Sequence, residues 1–291
     1  MSMTPQDPAP ARAADPAERA LFRRLVDDAA VFPPGLTPLP RAVEEHLARR
    51  SQPWADLVGP LLVPAAAAPE LLAVPRAAPL DVALVARPGT ALDVVERALG
   101  QLGRDPTVTV VGTEIAWSSE WAGSLGWGLP VSVEVPRGPD LVPALEDIRD
   151  HTAGKSPLQA KMRTGATDAL SVPDATELAT FLRTCVDMDL GFKLTGGLHR
   201  AVAHTTADGE DQHGFLNVLC ATRWALAHAA EVPELVALLS ERDPAPLLDI
   251  LTGMSHADAS VVRAFFTAYG CCGVTDPVHD LSTLGLITET A

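Results

Sequence analysis

The stretch from Leu158 to Arg200 constrains this chain most, because it reads as one complete strand–helix–strand unit. A strand pattern over Leu158–Arg163 ends in a Thr-Gly turn, and a helix is expected over Asp174–Met188. A second strand over Gly191–Thr195 then ends in Gly-Gly. Strands joined through a helix pair in parallel, with a right-handed crossover. The same alternation runs along the chain. Strands are expected at Asp28–Pro34, Leu57–Val63, Leu80–Ala86, Thr107–Ile115 and Pro130–Val135, and a last one at Val262–Cys272. Helical spacing marks Pro16–Asp27, Arg41–Arg50, Pro69–Val74, Ala91–Leu102, Asp140–His151, Phe215–Ala230, Val232–Leu239, Ala245–Leu251 and Asp276–Leu286, with a weaker turn at Ser118–Leu125. Pro60 speaks against a central strand where it stands.

The expected strands are apolar throughout rather than on one face, as in parallel sheets covered on both sides. Eight βα units in roughly 250 residues predict an α/β fold, a single-domain (β/α)8 TIM-type barrel over residues 16–291. The competing arrangement is an open doubly wound sheet, but no GxGxxG follows the first strand. Residues 1–15, rich in Pro, Ala and Asp, are expected to be a disordered tail.

A barrel gathers its chemistry at the carboxyl ends of the strands. Asp28, Arg87, Glu114, Glu134, Lys161, Arg163, Lys193 and His199 fall there. The two lysines are informative because only three of the 22 basic residues are lysine. An amine in place of the prevailing guanidinium provides a compact charge that can lose its proton. The plainer alternative is a pair of solvated amines capping the sheet, which the apolar flanks Leu158, Ala160, Met162, Phe192 and Leu194 disfavour. Side-chain alternation puts both amines on one face. With strands about 4.8 Å apart, their nitrogens should approach within roughly 3–7 Å. Two positive charges at that range repel, so one amine should lose its proton more easily.

Composition narrows the partners. A net charge of −15 and a pI near 4.8 disfavour nucleic acid and anionic membranes. No signal-peptide pattern and no 18-residue apolar run is seen, and four cysteines without CxxC spacing suit a reducing cytoplasm. A small-molecule substrate is the expected partner, with homo-oligomerisation left open. Thr195, Gly196, Gly197 and Gly270 stand where barrels commonly bind phosphate through backbone amides. His199, His204 and His213 lie near Asp208, Glu210 and Asp211 but lack HxH or HxxxH spacing. A solvated segment is therefore expected there, and no metal. The polar insert Ala201–Gln212 is expected to be a mobile or ligand-ordered lid.

KMRTG (Lys161–Gly165) and FKLTGGLHR (Phe192–Arg200) resemble the sixth- and seventh-strand motifs of deoxyribose-phosphate aldolases. The resemblance implies that Lys161 forms the Schiff base, that Lys193 lowers its pKa, and that Gly196 and Gly197 help to hold phosphate. YGCCG (Tyr269–Gly273) resembles the family's G-x-S-S segment more loosely. Met162 and Arg163 replace a small Thr-Ser pair, and Gly112 and Glu114 stand on strand four where that family has an aspartate. The whole chain, through DDAAVFPPG, KMRTG, LTGGLH and HGFLN, is also similar to a bacterial family that transfers no activity.

The expected function is a lysine-dependent carbon–carbon lyase acting on a small carbonyl compound, phosphorylated or not, without a cofactor. Lys161, Lys193, Glu134 and Asp28 are its expected catalytic groups. Arg163, Thr164, Thr195, Gly196, Gly197, His199 and Gly270 are the expected binding groups. A metal-assisted lyase or isomerase using Glu134, His199 and Lys161 is the first alternative. A barrel that binds a partner without chemistry is the second.

Overall fold

A computed structural model describes residues 16–154, 157–167 and 170–288. The expected tail at 1–15 and Lys155 lie outside the described residues. Eight parallel strands close into a barrel: β1 (Val26–Asp28), β2 (Val58–Pro64), β3 (Leu80–Val85), β4 (Val108–Ala116), β5 (Val131–Glu134), β6 (Leu158–Arg163), β7 (Phe192–Thr195) and β8 (Phe266–Cys271). Each pairs with its neighbours in sequence, and β8 closes the ring against β1 through Val26–Tyr269 and Asp28–Cys271. The (β/α)8 barrel expected from the strand pattern is thus what the chain forms.

Helices cover the outside. They are α1 (Pro16–Phe22), α2 (Leu39–Ala48), α3 (Ala68–Ala73), α4 (Leu92–Leu102), α5 (Leu141–Asp150), α6 (Ala175–Asp187), α7 (Phe215–His228), α8 (Val232–Leu239), α9 (Pro244–Thr252), α10 (His256–Phe265) and α11 (Thr275–Thr283). Between β4 and β5 a 3-10 segment, Trp121–Trp127, stands in for a full helix. The best-marked start is that of α6. Asp174 accepts from the Glu177 amide while Glu177 accepts from the Asp174 amide, so two otherwise orphaned donors are satisfied. No described helix is long and apolar enough to cross a membrane.

The outward faces of the strands carry the main core. Leu61, Val63, Leu84, Val133, Ala160, Met162, Phe192, Leu194 and Tyr269 are all buried under helices there. Inside the barrel the apolar part is small: Ala29, Leu62, Ala83 and Val85, with Phe32 against them. Small residues leave interior volume that polar side chains fill.

Several expected boundaries moved, each for a backbone reason. The first strand is Val26–Asp28, not Asp28–Pro34. After Ala29 donates to the Cys271 carbonyl, the chain turns, with Phe32 bonding back to Ala29 and Leu36 to Phe32. Pro33 and Pro34 have no N–H for a ladder. The helix expected to reach Asp27 stops at Phe22, because Arg24 turns the chain in the left-handed region at φ +49° and β1 begins at Val26. The last expected strand, Val262–Cys272, divides into the end of α10 and β8. Pro60 is tolerated because β1 and β2 slip register between Val26–Val58 and Asp28–Leu61, a bulge that spares its missing donor.

The 201–212 insert is built as a short antiparallel hairpin, His204–Thr205 against Asp211–Gln212, and not as a featureless loop. Arg242 grips both strands, donating to Thr205 Oγ1 and Asp211 Oδ1 at 2.7 Å each.

Candidate active site

Alternation along the strands brings six charged side chains into the barrel as one alternating row. Its order is Asp27 (β1), Lys193 (β7), Glu114 (β4), Lys161 (β6), Glu134 (β5) and Arg163 (β6). Lys193 Nζ donates to Asp27 Oδ2 and, at 2.5 Å, to Glu114 Oε1. Lys161 Nζ lies 2.8 Å from Glu114 Oε2 and 2.8 Å from Glu134 Oε2. Arg163 Nε reaches Glu134 Oε1 at 3.2 Å. The pairing registers Glu134–Lys161 and Lys161–Lys193 place these groups side by side on adjacent strands.

One carboxylate therefore bridges both amines, Oε1 meeting Lys193 and Oε2 meeting Lys161. Each amine has a second carboxylate of its own, Asp27 for Lys193 and Glu134 for Lys161.

The electrostatics overturn one expectation. Repulsion between the lysines was to make one of them a weaker base, but three carboxylates stand among the amines. Burial works to lower the pKa of Lys161, yet Glu114 and Glu134 prevail and raise it. Lys193 is also raised, against burial, by Asp27 and Glu114. Burial alone would raise Glu114, but the two ammoniums bring it down to about 2. Glu134 is lowered too, burial being outweighed by Lys161 and Arg163. Asp27 is the exception: burial keeps its pKa raised despite Lys193, making it the weakest acid of the three. In this state both amines are ammoniums.

Asp28 requires a correction. Its side chain points out of the barrel toward α2, where Oδ2 meets His46 Nδ1 at 2.9 Å and Arg49 Nη1 at 2.5 Å. Its neighbour Asp27 takes the interior place: the residue expected to end a helix lies inside β1, and adjacent residues of a strand face opposite sides of the wall. Gly59 could have signalled this: a Cβ there would stand 1.8 Å from Asp27 Oδ1, so only glycine leaves the acid its room. Glu114 has a central place that the motifs on β6 and β7 do not suggest.

The turns after β6 and β7 lie backbone to backbone. A Cβ on Gly165 would come 2.9 Å from the Gly197 nitrogen. Thr164, expected to bind substrate, is buried and spends its hydroxyl on the Gly196 carbonyl at 2.5 Å, knitting the two turns together. Gly196, Gly197 and Leu198 have φ of +72°, +70° and +55°. Their amides donate to no backbone carbonyl among the described residues. A Cβ on Gly196 would lie 3.4 Å from Arg163 Nη1, which puts the guanidinium beside this turn. Thr195 is buried next to Gly270, where an added Cβ would stand 3.2 Å from Thr195 Oγ1.

His199 contacts Asp276, Cys271 and Cys272, whereas Glu134 is engaged by Lys161 and Arg163, so the pair suggested for a metal shares no partner. Among the described residues, no group of three His, Cys, Asp or Glu side chains is arranged to hold a metal ion. His204 and His213 are separately engaged, with the Val202 and Pro173 carbonyls. Two cavities open at the amino ends of the strands, one beside Phe22 and Trp54 and one beside Arg24 and Gly59; neither is lined by a lysine. No protein-family model, no curated protein and no solved structure matches this chain.

Proposed function

We propose that this protein is a lysine-dependent carbon–carbon lyase that acts through an imine on Lys161, with a small anionic carbonyl compound as substrate. The observation that supports the reading is the pair of buried amines bridged by one carboxylate inside a (β/α)8 barrel. Side-chain exposure falls from 32% at Arg163 to 14% at Glu134 and 3% at Lys161, which marks the approach. An anionic group reaching Arg163 and the free amides of Gly196–Leu198 competes with Glu134 for the guanidinium. Released, Glu134 takes a proton from Lys161. The neutral amine adds to the carbonyl carbon, and the carbonyl oxygen receives the proton back. Loss of water leaves an iminium. Its nitrogen draws the electron pair of the bond between the α- and β-carbons into an enamine, while the β-hydroxyl gives its proton to Glu134 and that fragment leaves as a second carbonyl compound. Protonation of the enamine carbon and hydrolysis then free Lys161. Asp27, the weakest acid, is the proton store behind Lys193. The four cysteines, all unpaired, suit a reducing compartment such as the cytoplasm.

The test is reductive trapping. Incubation with short aldehydes or ketones and borohydride should add the reduced mass to the peptide carrying Lys161, and Lys161→Arg should abolish the adduct. No adduct, or an adduct that survives in Lys161→Arg, removes this reading. A second reading has one observation in its favour: Glu114 fills the space between the amines, as in a barrel whose ion pairs are purely structural and whose role is to bind a partner. It predicts no trapping with any carbonyl compound.

A further inference from the structure

A second cluster of reactive side chains stands at the carboxyl-end rim, apart from the lysine row. His199, which follows β7, places Nδ1 2.9 Å from Asp276 Oδ2 at the start of α11, and Nε2 3.5 Å from Cys272 Sγ just after β8. The order thiol, imidazole, carboxylate, with the two ring nitrogens facing opposite partners, is that of a nucleophile, its base and the group that orients the base. We propose that Cys272, His199 and Asp276 form a thiol acyl-transfer site that takes esters or thioesters at the barrel mouth. It stands independently of the lysine reading.

The neighbouring thiol provides a contrast. Cys271 is buried, its Sγ bonds to the Gly273 carbonyl at 3.4 Å, and it meets only the Nδ1 side of His199, at 3.6 Å, where Asp276 already sits closer. Burial raises its pKa, so it stays a protonated thiol. Cys272 is partly exposed and holds the free Nε2 side. Two glycines make the arrangement possible. A Cβ on Gly273 would stand 2.6 Å from Asp276 Oδ2 and 3.5 Å from His199 Nδ1, so a side chain there would push acid and imidazole apart. A Cβ on Gly35 would stand 3.0 Å from the Cys272 Cβ, so the β1–α2 loop passes the thiol with its smallest residue. The groups facing the imidazole are the two thiols and Asp276. Hydrogen bonding to Cys271 and Cys272, with Asp276 behind, pushes His199 up to about 11, so a cationic imidazole stands beside the Cys272 sulfur, the setting that activates a thiol.

In the step proposed, the Cys272 thiolate attacks the carbonyl carbon and a C–S bond forms. The tetrahedral intermediate expels the alkoxide or thiolate of the leaving group, which takes the Nε2 proton of His199. Water, deprotonated by the now neutral imidazole, then releases the acid and restores the thiolate.

The probe is p-nitrophenyl acetate on the full-length protein. It should release about one equivalent of nitrophenolate per chain in a burst and leave an acetyl group on the peptide carrying Cys272. Cys272→Ala should lose the burst, and Cys271→Ala should keep it. Iodoacetamide provides a readout that a structural role would not move. Alkylation of Cys272 should be almost independent of pH between about 6 and 9, and should gain ordinary thiol pH dependence in His199→Gln, with a loss of roughly 100-fold at pH 6. Asp276→Asn should slow acylation about tenfold or more. The site is refuted if no burst occurs or if the acetyl group lies on a lysine. It is equally refuted if Cys272 in the unmodified protein alkylates with the pH dependence of a free thiol.

Discussion

Asp27 and Asp28 are chemically identical neighbours on β1, and the barrel wall separates them. Asp27 faces inward and bonds to Lys193, which Glu114 shares, in a row of charges buried inside the barrel. Asp28 faces outward and ties β1 to α2 through His46 and Arg49, of which Arg49 is still partly in contact with solvent. The difference teaches that a charge in this fold is read by its side of the wall. Inside, each carboxylate neutralises a buried amine that has nowhere else to turn. Outside, the carboxylate is a clamp whose partner can still be hydrated. Burying the inner row carries a desolvation cost that only complete pairing offsets.

The comparison breaks most severely if one inner cation is removed. Lys193→Met leaves Asp27 with no amine and Glu114 with one, and should cost about 3–5 kcal/mol in urea unfolding at neutral pH. A loss under ~1 kcal/mol would mean that water reaches the row. Acid provides a second, somewhat smaller effect. The folded-state pKa of Glu114 is lowered to about 2 from an ordinary 4.5, so its contribution is fully present above pH ~4.5 and disappears as pH falls through about 2. Linkage puts that contribution at about 3 kcal/mol. Glu114→Gln should flatten this part of the stability–pH curve, and an unchanged slope would contradict it. Asp27 has the opposite sign. Its raised pKa disfavours the folded state at neutral pH, and protonation relieves that penalty.

Gly59→Ala sharpens the comparison from the packing side. The added methyl group would overlap Asp27 Oδ1 and should cost about 1–3 kcal/mol, while the same change at Gly100, where nothing lies within 4 Å, should not destabilise. Equal effects at the two sites would show that Asp27 is free to move. The smallest change is expected outside the wall: Asp28→Asn should cost about 1–2 kcal/mol and leave borohydride trapping unaltered. If trapping fell with Asp28 and not with Asp27, the two acids would have the reverse of the roles assigned here.

Much of the frame was legible in the chain itself. The apolar strand runs and the helical spacing between them specify a parallel sheet, because a strand apolar on both faces needs cover on both sides. That requirement is local, so residue order alone carries it. The pairing of Lys161 with Lys193 follows as well, since alternation and a single βα crossover determine which side chains share a face. What only the tertiary structure decided is what surrounds them. Glu114 reaches the lysines from β4, Asp27 reaches Lys193 from β1 through barrel closure, and Asp27 rather than Asp28 faces inward because β1 takes in a residue expected to be helical. The meeting of His199, Cys272 and Asp276 likewise depends on how the ends of β7 and β8 come together with the start of α11. Partners brought together by ring closure lie far apart in sequence, and the sign of a buried pKa shift depends on all of them at once. Periodicity therefore determines the barrel and the lysine face, whereas the charge state of those lysines is decided by the closed ring.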